Sequence, residues 1–328
     1  MYVKRNYGFF MTFNWSKKPF LLGLAYALAV HMVIHSMEDR LTLPWQPISV
    51  IGIAVAFYLG FKNNSSYDRT WEARKIWGGI VNTSRTFGAG IVAFVQGDDA
   101  RNIQRELILR HVAWLTALRH QLRMSRSWEH PKDGETSKNL PHVSESPGPA
   151  CRAELAAYLD QAELEALRTK SNMATQLLVT QSRRLQELRD HGYFEDFRHM
   201  AFHENITQLY NEQGRAERIK NFPFPRQYAS TALWLTMVFC AFVPFGMADV
   251  FKGQGSWMFW ISPLLSALII WIFFLMEMIG DYSENPFEGT YNDVPITSIS
   301  RGIEIDLREM IDDTGIPGPI LAENGFLM

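Results

Sequence analysis

Apolar residues gather into four runs, Phe20–Ile34, Pro47–Phe61, about Ala229–Val250 and Trp257–Met278, with polar sequence between them. A helix needs about twenty such residues to cross a bilayer. The last two runs meet that length, and the first two are shorter, at roughly fifteen residues each. The pattern predicts two pairs of transmembrane helices, 20–61 and 229–280. Between the pairs, over 62–226, the period becomes that of amphipathic helices. Leu107, Leu109, His111, Val112, Leu115 and Leu118 alternate with Arg105, Glu106, Arg110 and Arg119, and Met173, Leu177, Leu178, Leu185 and Leu188 repeat the spacing. No strand alternation competes, so the fold class is all-α. Ser125–Ala150, with Pro131, Pro141, Pro147 and Pro149, reads as a flexible insert in this helical region. In the C-terminal segment 281–328, Ile303 to Ile311 reads as an amphipathic helix that stops at Gly315 and Pro317. No internal repeat is visible, and the whole chain, 1–328, reads as one membrane-plus-cytosol unit.

Flanking charge orients the spans, because Lys and Arg stay on the cytoplasmic side. Lys4, Arg5, Lys17 and Lys18 precede the first run, Lys62, Arg69, Arg74 and Lys75 follow the second, and Arg215, Arg218, Lys220 and Arg226 precede the third. The connections near Glu38-Asp39-Arg40 and Asp249 to Lys252 carry few basic residues. Both termini are therefore expected in the cytoplasm. Although 47% of the residues are hydrophobic, the mean hydropathy is slightly negative, which requires a large aqueous part beside the membrane layer. A net charge of -2 without a basic tract gives no reason to expect nucleic acid. Cys151 and Cys240 lie in segments of opposite character, so no disulfide is expected between them. Met1 to Lys18 lacks the short apolar core and cleavage site of a signal peptide.

The second run carries Ile53, Phe57 and Phe61 at i, i+4 and i+8, one stripe of a helix, with Gly52, Ala54, Ala56 and Gly60 offering small faces for close approach. Ordinary helix packing and a pore lining both fit that stripe. His31 and His35, four apart, share a helix face, but no third metal ligand stands near except Glu38. No metal or other cofactor is expected. Glu277 and Asp281, also four apart, are read as fastening the end of the last span to a basic group such as Arg69 or Arg74 across the subunit. The aromatic density of the last two runs suits lipid contact and interfacial anchoring. Phosphate loops, nucleophile elbows and zinc patterns are absent from the sequence, which argues against an enzyme.

Two longer motifs go further. Asn63-Asn64-Ser65-Ser66-Tyr67-Asp68-Arg69-Thr70-Trp71-Glu72-Ala73-Arg74, and later Glu284-Asn285-Pro286-Phe287 with Asn292-Asp293-Val294-Pro295, resemble the two signature regions of the bestrophin family in its bacterial branch. The resemblance covers nearly the whole chain. It implies a homopentameric ion channel of the inner membrane with one central pore. By position, the pore neck falls on Ile53, Phe57 and Phe61 and the cytosolic aperture on Phe197. Asn63, Asn64, Tyr67, Arg69, Trp71, Glu72, Arg74, Glu284, Pro286 and Phe287 carry the signature, expected to brace the pore helix. An apolar neck gates by dewetting and leaves charge selection to other groups. Chloride or other small anions are the family's default, whereas Glu195, Asp196 and Glu204 near the aperture would favour cations such as sodium, or be solvated caps facing away from it. Calcium needs six to eight oxygen ligands. The family's animal members carry consecutive acids after Asn-Pro-Phe, but here only the separated Glu288 and Asp293 follow, so no calcium clasp is expected. A membrane scaffold without conduction is the contrasting class.

Overall fold

A computed structural model of the chain describes residues 1–37, 41–130, 149–253 and 255–328. Among the described residues there are ten helices: α1 (Phe9–Ser36), α2 (Trp45–Phe94), α3 (Ala100–Leu122), α4 (Pro149–Leu155), α5 (Gln161–Leu167), α6 (Met173–Asp190), α7 (Asp196–Asn221), α8 (Arg226–Phe251), α9 (Ser256–Ser283) and α10 (Ile296–Glu309). No strand occurs among them, and pairing outside helices is limited to isolated bridges such as Tyr2 with Phe326. Most of the expected insert, 131–148, and the residues Glu38, Asp39 and Arg40 lie outside the described residues.

Prolines set several of the boundaries. Pro286 biases the residue before it away from the helical region, and α9 ends three residues earlier, at Ser283. Pro225 and Pro295 stand immediately ahead of α8 and α10. Asp160 and Asn172 cap α5 and α6, their side chains accepting from the backbone N–H groups of Glu163 and Thr175. α10 stops at Glu309, earlier than Gly315 and Pro317 suggested, and Asp312 takes a positive φ of 51° in the following turn. Arg308 folds back onto Asp313 at 2.8 Å and Glu304 at 3.2 Å there. That local ion network ends the helix before the glycine is reached.

The contacts divide the chain into two compact units. One comprises Lys4–Arg69 and Pro223–Glu284, which hold α1, the first half of α2, α8 and α9. Among the described residues four helices, α1, α2, α8 and α9, have segments long and apolar enough to cross a membrane. Glycines bring them close. A Cβ on Gly23 would lie 2.9 Å from Ile270, one on Gly52 would lie 2.7 Å from the Phe239 ring, and one on Gly246 would lie 2.7 Å from Ile48. Small residues at such crossings let backbones approach where no hydrophobic force between helices is available. Outside that core the unit is apolar and open, with Leu22, Met32, Trp234 and Leu264 all exposed. His31 is buried, its Nδ1–H donating to the Ala27 carbonyl at 2.9 Å while Nε2 accepts from the Ser262 hydroxyl at 2.6 Å. His35 instead lies against the rings of Phe259 and Trp260.

The other unit comprises Met1–Val3, Thr70–Phe222 and Asn285–Met328. α3 is its central helix, with α4, α6, α7 and α10 packed around it. From Leu107 to His120 α3 is buried on every side, and the two Arg residues of that stretch do not turn to water, unlike the exposed Arg101 and Arg105 of its first turns. Arg110 meets Glu163 at 2.7 Å and Arg119 meets Glu154 at 2.5 Å, both arginines buried. Its apolar core runs through Trp77, Phe87, Trp114, Leu118, Phe202 and Phe287. Cys151 is buried here and Cys240 is buried in the other unit, and neither is in a disulfide.

Candidate functional site

α2 runs without a break through the first signature, where the sequence suggested that the second span ends after Phe61. On its surface Ile53 is 70% exposed, Phe57 69% and Phe61 50%. The Phe57 and Phe61 rings pack edge to face at 4.9 Å. A stripe of large apolar side chains standing clear of its own unit has no packing role within the single chain. The opposite side of the same helix is fully engaged, with Val55 and Leu59 buried. Gly52, on that inner side, is closed by Phe239, whereas nothing lies within 4 Å of a Cβ placed on Gly60.

The signature residues of this unit hold α2 to α9. Lys62, buried, donates from Nζ to Glu277 at 2.6 Å. The Asn63 Oδ1 fills the space a Cβ on Gly280 would need, 2.6 Å away. Arg69 donates from Nε to the Glu284 carbonyl at 2.9 Å, and Arg226 pairs with the Glu284 carboxylate. Glu277 thus takes Lys62, where the sequence pointed to Arg69 or Arg74. Helical spacing placed Glu277 on the right face but could not name a partner 215 residues away. Asn64 and Tyr67 are exposed.

In the other unit Glu72 pairs with Arg215 at 2.8 Å and with Lys75 at 2.7 Å, and Trp71 and Arg74 are exposed. Phe287 is buried in the core, and the Pro286 carbonyl accepts from the Val294 N–H at 3.1 Å. The turn that follows is built on charges the sequence did not single out as partners. Asp293, fully buried, accepts from Arg123 at 2.7 Å, from the Gly289 N–H at 2.5 Å and from the Thr290 hydroxyl at 2.8 Å. Glu288 accepts from the backbone and ring N–H groups of His130, at 2.6 and 3.1 Å. Lys220 pairs with Glu129. Burial pushes the Asp293 and Glu129 carboxyls up and the Lys220 ammonium down, and the partner charges oppose each shift. The available signal was weak: Arg123 stands one residue beyond Leu122 at the end of an apolar face.

Phe197 projects from the first turn of α7 and is 88% exposed, with Met200 also exposed one turn on. Glu195 is the N-cap residue of α7, without a side-chain capping bond. Asp196 is paired with Arg189 at 2.6 Å, which reduces its field, whereas Glu204 is exposed on the same side of the helix as Phe197.

A family model described as "Bacterial/Fungal Bestrophin protein" matches residues 17–309. This chain belongs to the bestrophin family. Among its relatives, a protein of Ralstonia nicotianae named "Voltage-dependent anion channel-forming protein" is 29% identical over 302 residues, 92% of this chain and 88% of that protein. One of the same name from Escherichia coli K12 is 26% identical over 280 residues, covering 85% and 81%. The solved structure of a bacterial bestrophin homolog from Klebsiella pneumoniae shares the fold, with a TM-score of 0.76 at 22% identity over 90% of this chain and 98% of that one. As a bestrophin, the chain is a channel-family membrane protein rather than an enzyme.

Proposed function

We propose that this bestrophin is a passive anion channel of the bacterial inner membrane, a homopentamer in which the α2 stripe of each subunit faces one central pore. The exposed stripe Ile53, Phe57 and Phe61 carries the proposal. Set around an axis, it forms an apolar constriction that opens and closes by wetting and dewetting. Lipid covers the rest of the apolar surface. Phe197 supplies a second, cytosolic constriction. Lys62, Asn63, Arg69 and Glu284 position α2 against α9 and take no part in conduction. The pairing of both chain ends, Met1 with Leu327 and Val3 with Gly325, supports termini on one side, the cytoplasm by the distribution of basic residues. The relatives are named for anion channels, and a small anion such as chloride is the permeant ion of this reading. Glu204, exposed beside Phe197, favours the second reading, a sodium-selective channel of the same build.

Bilayer recording of the purified protein in asymmetric NaCl decides between them by the sign of the reversal potential. Replacing Ile53, Phe57 and Phe61 together by Ala should raise conductance severalfold, and no current in either protein would leave the scaffold reading standing. Calcium added to the same bilayers should change nothing, because Glu288 and Asp293 are already met by His130 and Arg123. Activation by micromolar calcium would overturn that part.

A further inference from the structure

α2 continues beyond Phe61 in regular helix, so the stripe has a calculable extension. At 100° per residue, Asn64 and Asp68 return to within about 20° of the direction of Phe57. Both are exposed, as are Ile53, Phe57 and Phe61. The other charged side chains on this stretch point elsewhere: Lys62 is buried against Glu277, and Arg69 is drawn to the Glu284 carbonyl. Asp68 has no ion pair among the described residues. It is therefore the first open charge met on the stripe after the apolar residues, about 10 Å along the helix from Phe61.

Resting on the reading of the stripe as a pore lining, we propose that Asp68 is a specificity-determining residue that lowers the anion-to-cation permeability ratio. Each subunit presents one carboxylate at the same depth, and a confined, low-dielectric mouth concentrates the field of such a ring. Anions leaving or entering the neck are repelled there and cations are enriched. The separation from Phe61 is close to the screening length at physiological salt, about 8 Å, so the effect strengthens as ionic strength falls.

Reversal potentials of Asp68→Asn and wild type should differ by at least about threefold in the chloride-to-sodium permeability ratio, toward chloride, with a larger gap at low salt. Asp68→Glu should behave as wild type. Where Asp68→Asn fails to assemble, Asp68→Cys provides a second route, since Cys151 and Cys240 are buried and unavailable to thiol reagents. Attaching a positively charged methanethiosulfonate group should raise the ratio, and a negatively charged one should restore it. An unchanged ratio in Asp68→Asn, or in fully labelled Asp68→Cys, overturns the proposal. The neck reading is tested separately by the triple Ala variant. If that variant conducts more while Asp68→Asn is silent, Asp68 fails and the neck stands. If the triple variant is silent while Asp68→Asn shifts the ratio, Asp68 stands and the gate lies elsewhere. Absence of current in wild type removes both.

Discussion

The two units invert each other. In the unit built from α1, the first half of α2, α8 and α9, large apolar side chains stand outside, while in the unit around α3 charged side chains lie inside. Phe57 is 69% exposed, whereas Arg123 is 0% exposed. An exposed Phe costs free energy only against water, so the first unit is shaped for an apolar surrounding such as lipid. A buried Arg costs more than its pairing returns unless every donor finds a place. The second unit accepts that cost in order to fasten loops that carry few apolar residues, such as the turn at Gly289 to Asp293. The surface of one unit and the interior of the other are where substitutions will be felt most.

The largest effect should come from the buried charges. Asp293→Ala leaves Arg123 without its carboxylate in a site closed to water, a loss of about 3–5 kcal/mol. Urea unfolding in detergent should register it, and Asp293→Ala combined with Arg123→Met should recover much of the loss. A single variant as stable as wild type would show that the inversion is only apparent. In the membrane unit, Gly52→Ala drives a methyl group into the Phe239 ring and should cost about 1–3 kcal/mol. Gly60→Ala, meeting nothing within 4 Å in the chain, should be neutral or gain up to about 1 kcal/mol from helix propensity. Equal melting temperatures for the two would deny the close crossing of α2 and α8. The smallest effect concerns acid. Burial raises the Glu154 carboxyl, but His120 and Arg119 more than offset it and hold it at about 2. Its contribution is complete above the ordinary carboxylate value of 4.5 and is lost as pH falls toward about 2. Glu154→Gln should flatten stability over that window, and an unchanged acid slope would remove Glu154 from the account.

Hydropathy made the spans legible, and the two signatures made the family legible, because both are local in sequence. The length of α2 was not legible. Lys62 to Lys75 looks like a cytosolic end by its charge, yet the helix passes through it because Lys62 is buried by Glu277 and Glu72 is paired with Arg215. α1 likewise starts at Phe9, ahead of Lys17, Lys18 and Pro19, which interrupt the apolar run without ending the helix. Arg110 and Arg119 looked like a solvated face for the same reason: periodicity separates polar from apolar positions but does not say whether a partner covers them. The neck candidates came from spacing and resemblance, and the coordinates add their exposure. Asp68 was visible in the signature from the start, but its register with Phe57 acquired meaning only once α2 proved continuous.

The Lys62–Glu277 pair also bears on electrical behaviour. A membrane potential of 100 mV acts on one elementary charge moved fully across it with about 2.3 kcal/mol. Two opposite charges locked at 2.6 Å and travelling together carry no net charge. A displacement of α2 and α9 as a pair would therefore transfer almost no gating charge through these residues. Any response of this part of α2 to voltage needs a charge without such a counterpart, and Asp68, exposed on the same helix, has that character.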